Sequence, residues 1–304
     1  MKAVRINQWG QPAQVEDIPQ PKAGQDEVLV RVYATSINPV DLFSVAGYLR
    51  ATQQLPLTPG TDFSGEVVAV GADVTHVKPG DAVFGMIPIR GGAFAEYAAV
   101  KGHEVALKPQ SLNYIQAAVV PLVSLAAWQT IIDFAQIQKG ERVLIHGAGG
   151  SVGSVAVQLA KDKGAYIIAN DLPEKKEILR AFAVDEIIDA QTQRFEDVVG
   201  KVDVVLNYAK ADLLERSYSV LKSGGRYATT FEQPPQEEAE RRGIRSFGVF
   251  TQPTVEHLTQ MAGLIDAGKI RFFVHRTFSI DEVQAALEYR QLGSEPGKVV
   301  ITIN

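Results

Sequence analysis

Between residues 143 and 171 the spacing of apolar positions changes period twice. Val143-Leu144-Ile145-His146 is a continuous apolar run of strand length, closed by Gly147-Ala148-Gly149-Gly150. Beyond the glycines, Val152, Val155, Ala156, Leu159 and Ala160 recur at helical spacing, so the turn runs directly into an amphipathic helix. Tyr166-Ile167-Ile168-Ala169-Asn170 then returns to strand character and ends at Asp171. The pattern predicts a strand–helix–strand unit whose free N–H groups, at the start of the helix, can face an anion. Asp171 stands about 20 positions beyond the glycines, where a dinucleotide-binding unit places the carboxylate that accepts ribose hydroxyls.

Each glycine has a physical task in this reading. Gly147 permits a sharp turn, Gly150 lets the backbone approach a pyrophosphate, and Gly153 lets the helix pack closely on the sheet. The spacing is Gly147-x-x-Gly150-x-x-Gly153 with Gly149 extra, rather than a strict G-x-G-x-x-G. The alternative is a tight turn that binds nothing, and the completeness of the surrounding unit argues against it.

The same periodicities divide the rest of the chain. Before residue 123, short alternating runs at 27–33, 63–70, 81–84 and 94–100 are broken by Pro-Gly, Gly-Thr-Asp and Gly-Gly turns, which predicts an antiparallel, barrel-like domain. From about 124 to 268 strands near 143–146, 166–170, 186–188, 203–207, 225–230 and 244–250 alternate with helical segments, which predicts an α/β doubly wound parallel sheet. Residues 269–304, with a helix after Ser279 and a strand at Lys298–Thr302, read as a return to the first domain. The expected division is 1–123 with 269–304, and 124–268.

Composition narrows the chemistry. At 304 residues and 46% hydrophobic, the chain has enough apolar material for two ordinary cores. A net charge of −5 with scattered Lys and Arg carries no footprint for nucleic acid or an anionic membrane. No apolar stretch is read as long enough for a membrane span, and Met1-Lys2-Ala3-Val4 begins a strand rather than a signal peptide, so a soluble cytoplasmic protein is expected. There is no cysteine, which excludes disulfides, thiolate nucleophiles and cysteine-ligated zinc. The five histidines, His76, His103, His146, His257 and His275, show no paired metal spacing, so no metal site is expected.

Several further motifs occur in one order: Ser36-Ile37-Asn38-Pro39-Val40-Asp41, Thr58-Pro59-Gly60-Thr61-Asp62-Phe63-Ser64-Gly65, Val77-Lys78-Pro79-Gly80-Asp81-Ala82-Val83-Phe84-Gly85 and Gly91-Gly92-Ala93-Phe94-Ala95-Glu96-Tyr97. With the glycine turn, they make the chain resemble the medium-chain dehydrogenase/reductase superfamily, and within it the zinc-independent quinone oxidoreductases, over nearly its full length. The resemblance implies a GroES-like β-barrel catalytic domain built from both chain ends, a Rossmann domain between them, an active-site cleft at their junction and a homodimer. Zinc-dependent relatives carry cysteine near the position of Asn38 and Gly-His-Glu where this chain has Gly60-Thr61-Asp62. Loss of both ligands implies a zinc-free site suited to conjugate reduction, where charge spreads over an enolate that hydrogen bonds can stabilise.

By family position, Asn38 is implied as an amide donor to nicotinamide or substrate, Tyr48 as a substrate-polarising or proton-relay group, and Asp41 as a carboxylate fixing their loop. On residue type alone, Asn38 is equally a turn initiator, Tyr48 a packed aromatic and Asp41 a helix N-terminal acid. His146 reads as a packing residue at a strand end. For the cofactor, the resemblance implies Thr130, Gly147, Gly149, Gly150, Ser151, Val152 and Gly153 at the pyrophosphate. It implies Thr229, Thr230 and Phe250 near the nicotinamide, and Lys298 in the cofactor cleft, a surface lysine being the alternative. At the adenosine end Asp171 repels a 2′-phosphate and favours NADH, whereas Lys175 and Lys176 favour NADPH; the charge argument tips to NADH. Asn207-Tyr208-Ala209-Lys210 departs from the aspartate and glycines that relatives often show there.

The function expected is NAD(P)H-dependent reduction of small-molecule quinones or α,β-unsaturated carbonyls without zinc. A cofactor-binding protein of the same fold with a structural, sensing or binding role is the competing reading.

Overall fold

The computed structural model describes residues 1–293 and 297–303. The chain forms two compact units, Met1–Leu122 with Gln252–Asn304, and Val123–Thr251. The second crossing thus comes earlier than the 269 suggested by the apolar pattern. The helix Val255–Asp266 packs with the first unit against the strand Val105–Leu107. Its last residue explains why: the Asp266 carboxylate accepts the Gln110 N–H at 3.1 Å and the Ser111 N–H at 2.9 Å.

The first unit is built on a seven-stranded, largely antiparallel sheet. Six strands follow the order Val274–Ser279, Lys298–Thr302, Glu27–Ser36, Asp62–Val70, Ala82–Met86 and Val105–Leu107, and Tyr97–Lys101 also pairs with Glu27–Ser36. Glu27–Ser36 is central because its Val28, Val30, Val32 and Ala34 all bury in the interior of the sheet. Register decides which polar residues meet. Val300 pairs antiparallel with Ser36, so continuing by two residues brings Lys298 opposite Asn38. Ala34 pairs with Ser64, so the same continuation brings Ser36 opposite Asp62.

The second unit is a six-stranded parallel sheet in the order Glu186–Asp189, Tyr166–Asp171, Arg142–His146, Val202–Asn207, Leu221–Thr229, Arg245–Gly248. This is the doubly wound arrangement expected, with the strand order reversing direction on either side of Arg142–His146. Val143, Leu144 and Ile145 are fully buried, as a parallel strand covered on both faces requires. The helix Ser151–Asp162 buries Val155, Ala156, Leu159 and Ala160 of the face that the spacing predicts, while Val152 is half-buried.

One expectation needs correction. The helical run Tyr114–Ala135 spans 22 residues and contains an 18-residue window with a mean hydropathy of 1.7, so an apolar stretch of membrane-span length does exist. Of that window 67% is buried within the protein, the property of a core helix.

Candidate functional site

In the second unit Gly147 and Gly153 follow their predicted tasks, and Gly149 adds another. Gly147 adopts φ +70, in the left-handed region that favours glycine. A Cβ on Gly153 would lie 2.1 Å from the Gly147 carbonyl oxygen, so the first turn of the helix seats on the loop only because position 153 has no side chain. The additional glycine, Gly149, donates its N–H to the Asp171 carboxylate at 2.6 Å. Asp171 also accepts the Leu172 N–H at 2.7 Å, so the buried acid at the strand end braces the turn. Burial raises its carboxyl above the usual range, while the two N–H groups oppose that shift.

A cavity of about 440 Å³ is lined here by Gly147, Gly150, Asp171, Lys175, Ala190 and Arg216 among others. Its size lies in the range of small-ligand sites. It sits outside the carboxyl ends of Arg142–His146 and Tyr166–Asp171, beside the point where the strand order reverses. The N–H groups of Ser151, Val152 and Gly153, in the first helical turn, have no intrahelical acceptor and suit a pyrophosphate. The cavity and cradle therefore fit the adenosine and phosphates of a dinucleotide.

Of the other expected cofactor residues, Lys176 and Thr130 do not line this cavity. Lys176 is exposed at the start of the helix Lys176–Ala181, and Lys175 is the lysine in the cavity wall. The helical phase decides this: the Lys175 stem packs beside Gly149, and the next residue turns outward. Thr130 is fully buried and donates to the carbonyls of Ala126 and Ala127 at 2.9 and 3.0 Å, sharing a further hydrogen bond with the Tyr208 hydroxyl. It meets the cavity only through Tyr208, which lines it. Thr229 is buried with its hydroxyl accepting the Phe231 N–H at 3.1 Å, Thr230 is half-buried and Phe250 is exposed. All three follow the carboxyl edge of the same sheet.

At the departure, Asn207 caps its own loop and also donates to the Tyr227 hydroxyl at 3.0 Å. Its side-chain oxygen accepts the Ala209 N–H at 3.1 Å, and its amide nitrogen donates to the Lys210 carbonyl at 2.7 Å. His146 is a packing residue, as read from its position. Its Nδ1 accepts from Asn170 at 2.8 Å, its Nε2 meets the Ser217 hydroxyl at 3.1 Å, and burial lowers its pKa to about 3.

The first unit holds the other group. Asn38 is buried, its side-chain oxygen accepting from Lys298 Nζ at 2.7 Å and its amide nitrogen donating to Asp62 Oδ2 at 2.9 Å. Asp62 also accepts from Lys298 Nζ at 2.7 Å, from the Ser36 hydroxyl at 2.7 Å and from the Leu122 N–H at 2.8 Å. Asp41 accepts the Asn38 N–H and the Thr61 hydroxyl, each at 2.7 Å, and burial pushes its carboxyl up to about 7. Two expectations change here. The Asn38 amide is taken up by Lys298 and Asp62 rather than presented outward. Lys298 is not a surface lysine but is buried, with Asn38 and Asp62 as its partners.

Tyr48 is the outward-facing member of the set, 78% exposed, with its ring edge-on to Phe43 at 6.0 Å. Asp62 and Thr61 stand in a quoted motif but received no role from the sequence; their spacing to Lys298 spans the chain, and only sheet register reveals it. Among the described residues no group of three or more His, Cys, Asp or Glu is arranged to hold a metal ion.

Residues 24–110 match the family described as alcohol dehydrogenase GroES-like domain, and residues 182–301 match that described as zinc-binding dehydrogenase. The chain is 34% identical to a 2-methylene-furan-3-one reductase of Solanum lycopersicum, over 92% of this chain and 73% of the relative. It is 31% identical to the mitochondrial NAD(P)H oxidoreductase RTN4IP1 of Mus musculus, over 91% of this chain and 82% of the relative. Among solved structures, the quinone oxidoreductase from Coxiella burnetii superposes with a TM-score of 0.90 at 30% identity, covering 100% of this chain and 99% of that one. The glycine cradle with its acid, the GroES-like match and this similarity over most of the chain agree: the protein belongs to the medium-chain dehydrogenase/reductase superfamily and is an NAD(P)H-dependent oxidoreductase.

Proposed function

We propose that this chain reduces quinones or α,β-unsaturated carbonyls with NADH and without zinc. The observation that carries the metal-free reading is the Lys298 ammonium, 2.7 Å from Asp62 in the motif where zinc-dependent relatives have a ligand. A fixed cation already neutralises that carboxylate, and Asn38 and Thr61 supply an amide and a hydroxyl in place of the expected ligands. The names of the relatives support the substrate class: one reduces a methylene-furanone and another a quinone.

When bound, the nicotinamide supplies a hydride to the β-carbon of the acceptor. The cradle at Gly147, Gly150 and the first turn after it holds the pyrophosphate, and Asp171 takes the adenosine ribose. Tyr48 hydrogen-bonds the acceptor oxygen as charge develops there and passes it a proton. A panel of small quinones and enones, run with each cofactor and with a chelator, tests the function. NADH oxidation that survives the chelator supports the reading, and activity abolished by chelation and restored by zinc overturns it.

Cofactor choice is read separately. NADH is expected to bind more tightly than NADPH, because the Asp171 carboxylate accepts ribose hydroxyls and repels a 2′-phosphate. In Asp171→Ser the brace to Gly149 is also lost, so both cofactors weaken, and the ratio is the informative quantity. Removing one charge beside a phosphate is expected to shift that ratio towards NADPH by about tenfold, or roughly 1.4 kcal/mol. Calorimetric titration of both cofactors into both proteins measures it. A wild type that prefers NADPH would show that Lys175 dominates the site.

A further inference from the structure

We propose that Lys298 is a positioning residue for the reduction: with Asp62 it clamps the Asn38 side chain and, through the helix that starts there, fixes the turn that presents Tyr48. The inference rests on the role given to Tyr48 above. It departs from the cofactor contact that the family resemblance implies for Lys298.

The clamp is two-ended. Lys298 Nζ donates to the Asn38 side-chain oxygen at 2.7 Å, and the Asn38 amide nitrogen donates to Asp62 at 2.9 Å. A reversed amide would set its nitrogen against an ammonium and its oxygen against a carboxylate, so the charges enforce one orientation. Lys298 is buried, and so are Asn38 and Asp62, which keeps these interactions free of solvent screening.

From Asn38 a continuous hydrogen-bonded path leads to Tyr48. Asn38 directly precedes the helix Pro39–Val45, its carbonyl accepts the Asp41 N–H at 3.1 Å, and its own N–H donates to Asp41 at 2.7 Å. The Ala46 N–H donates to Leu42, the Gly47 N–H to Ser44 and the Tyr48 N–H to the Phe43 carbonyl, at 2.9, 3.0 and 2.9 Å. Gly47 turns the chain with φ +81 against Trp9, where a Cβ would meet the indole stem at 2.9 Å. The phenol is thus exposed, yet its backbone is tied to the clamp within ten residues, counting from Asn38. Position rather than burial is what a group meeting a developing charge requires.

The test compares wild type with Lys298→Met, the charge-balanced pair Asp62→Asn/Lys298→Met, Tyr48→Phe and Tyr48→Phe/Lys298→Met. Each is measured for Tm, NADH affinity, kcat and KM, with the quinone and enone panel. The balanced pair guards against a single variant that fails to fold. The expected result is a kcat lower by about tenfold or more in the balanced pair, with NADH affinity and Tm near wild type. Adding Lys298→Met to Tyr48→Phe should then cost much less than it costs in wild type, the non-additivity of two residues acting as one unit. Wild-type kcat in the balanced pair overturns the proposal, and so do additive losses. Weakened NADH binding at unchanged kcat overturns it as well, returning Lys298 to the cofactor.

If the wild type oxidises NADH with no member of the panel, the reductase reading fails by itself. The Asn38 side-chain amide, followed by NMR in protein labelled with 15N-asparagine, then decides the clamp. Nδ2 protons protected from exchange in wild type and unprotected in the balanced pair uphold it. Equal protection in both overturns it.

Discussion

Asp62→Ala is expected to cost about 3–5 kcal/mol of stability, the penalty for leaving a buried charge without its partner. Its carboxylate accepts from Lys298, Asn38, Ser36 and the Leu122 N–H, all at 2.7–2.9 Å, and alanine removes every acceptor at once. Among the described residues, Lys298 would keep only the Asn38 oxygen as a hydrogen-bond partner. Replacing both charges tests the cause rather than the size of the effect, since a buried pair exchanged for neutral groups of similar volume is often close to neutral. Asp62→Asn/Lys298→Met is therefore expected to recover most of the loss in urea midpoint. A single variant within 1 kcal/mol of wild type, or a double variant as unstable as the sum of the singles, would show that this pair does not hold the sheet junction.

Tyr48→Phe is expected to lower kcat/KM by about 10²–10³, the usual cost of losing one donor to a developing oxyanion. The substitution is clean because the residue is 78% exposed and only its oxygen is lost; the ring keeps its edge contact with Phe43. Tm and NADH affinity should not move, as for most exposed substitutions without a buried partner. Unchanged kcat/KM across the quinone and enone panel would remove Tyr48 from the mechanism and leave the proton to solvent.

Part of this site was legible in one dimension. The glycine turn, its helix and Asp171 lie within 25 consecutive residues, Gly147 to Asp171, and their contacts follow from local geometry, so periodicity and spacing suffice to place them. Even there, side-chain phase was out of reach: the lysine in the cavity wall is Lys175 and not Lys176, and Thr130 lies behind Tyr208. Both outcomes depend on which way a side chain turns at a helix start or bend, and composition carries no record of that.

By itself the amino-acid sequence determined the two architectures, the nucleotide cradle and the absence of cysteine ligands, because each is set by short-range pattern or residue type. The boundary near residue 252 was decided by tertiary structure, since the docking of Asp266 on Gln110 and Ser111 joins segments far apart in the chain. The same holds for Asn38, Asp62 and Lys298. Their sequence neighbourhoods suggest a donor, a lost ligand site and a surface or cofactor lysine. Antiparallel register across three strands brings them together, and burial makes the two charges and the Asn38 amide one another's hydrogen-bond partners.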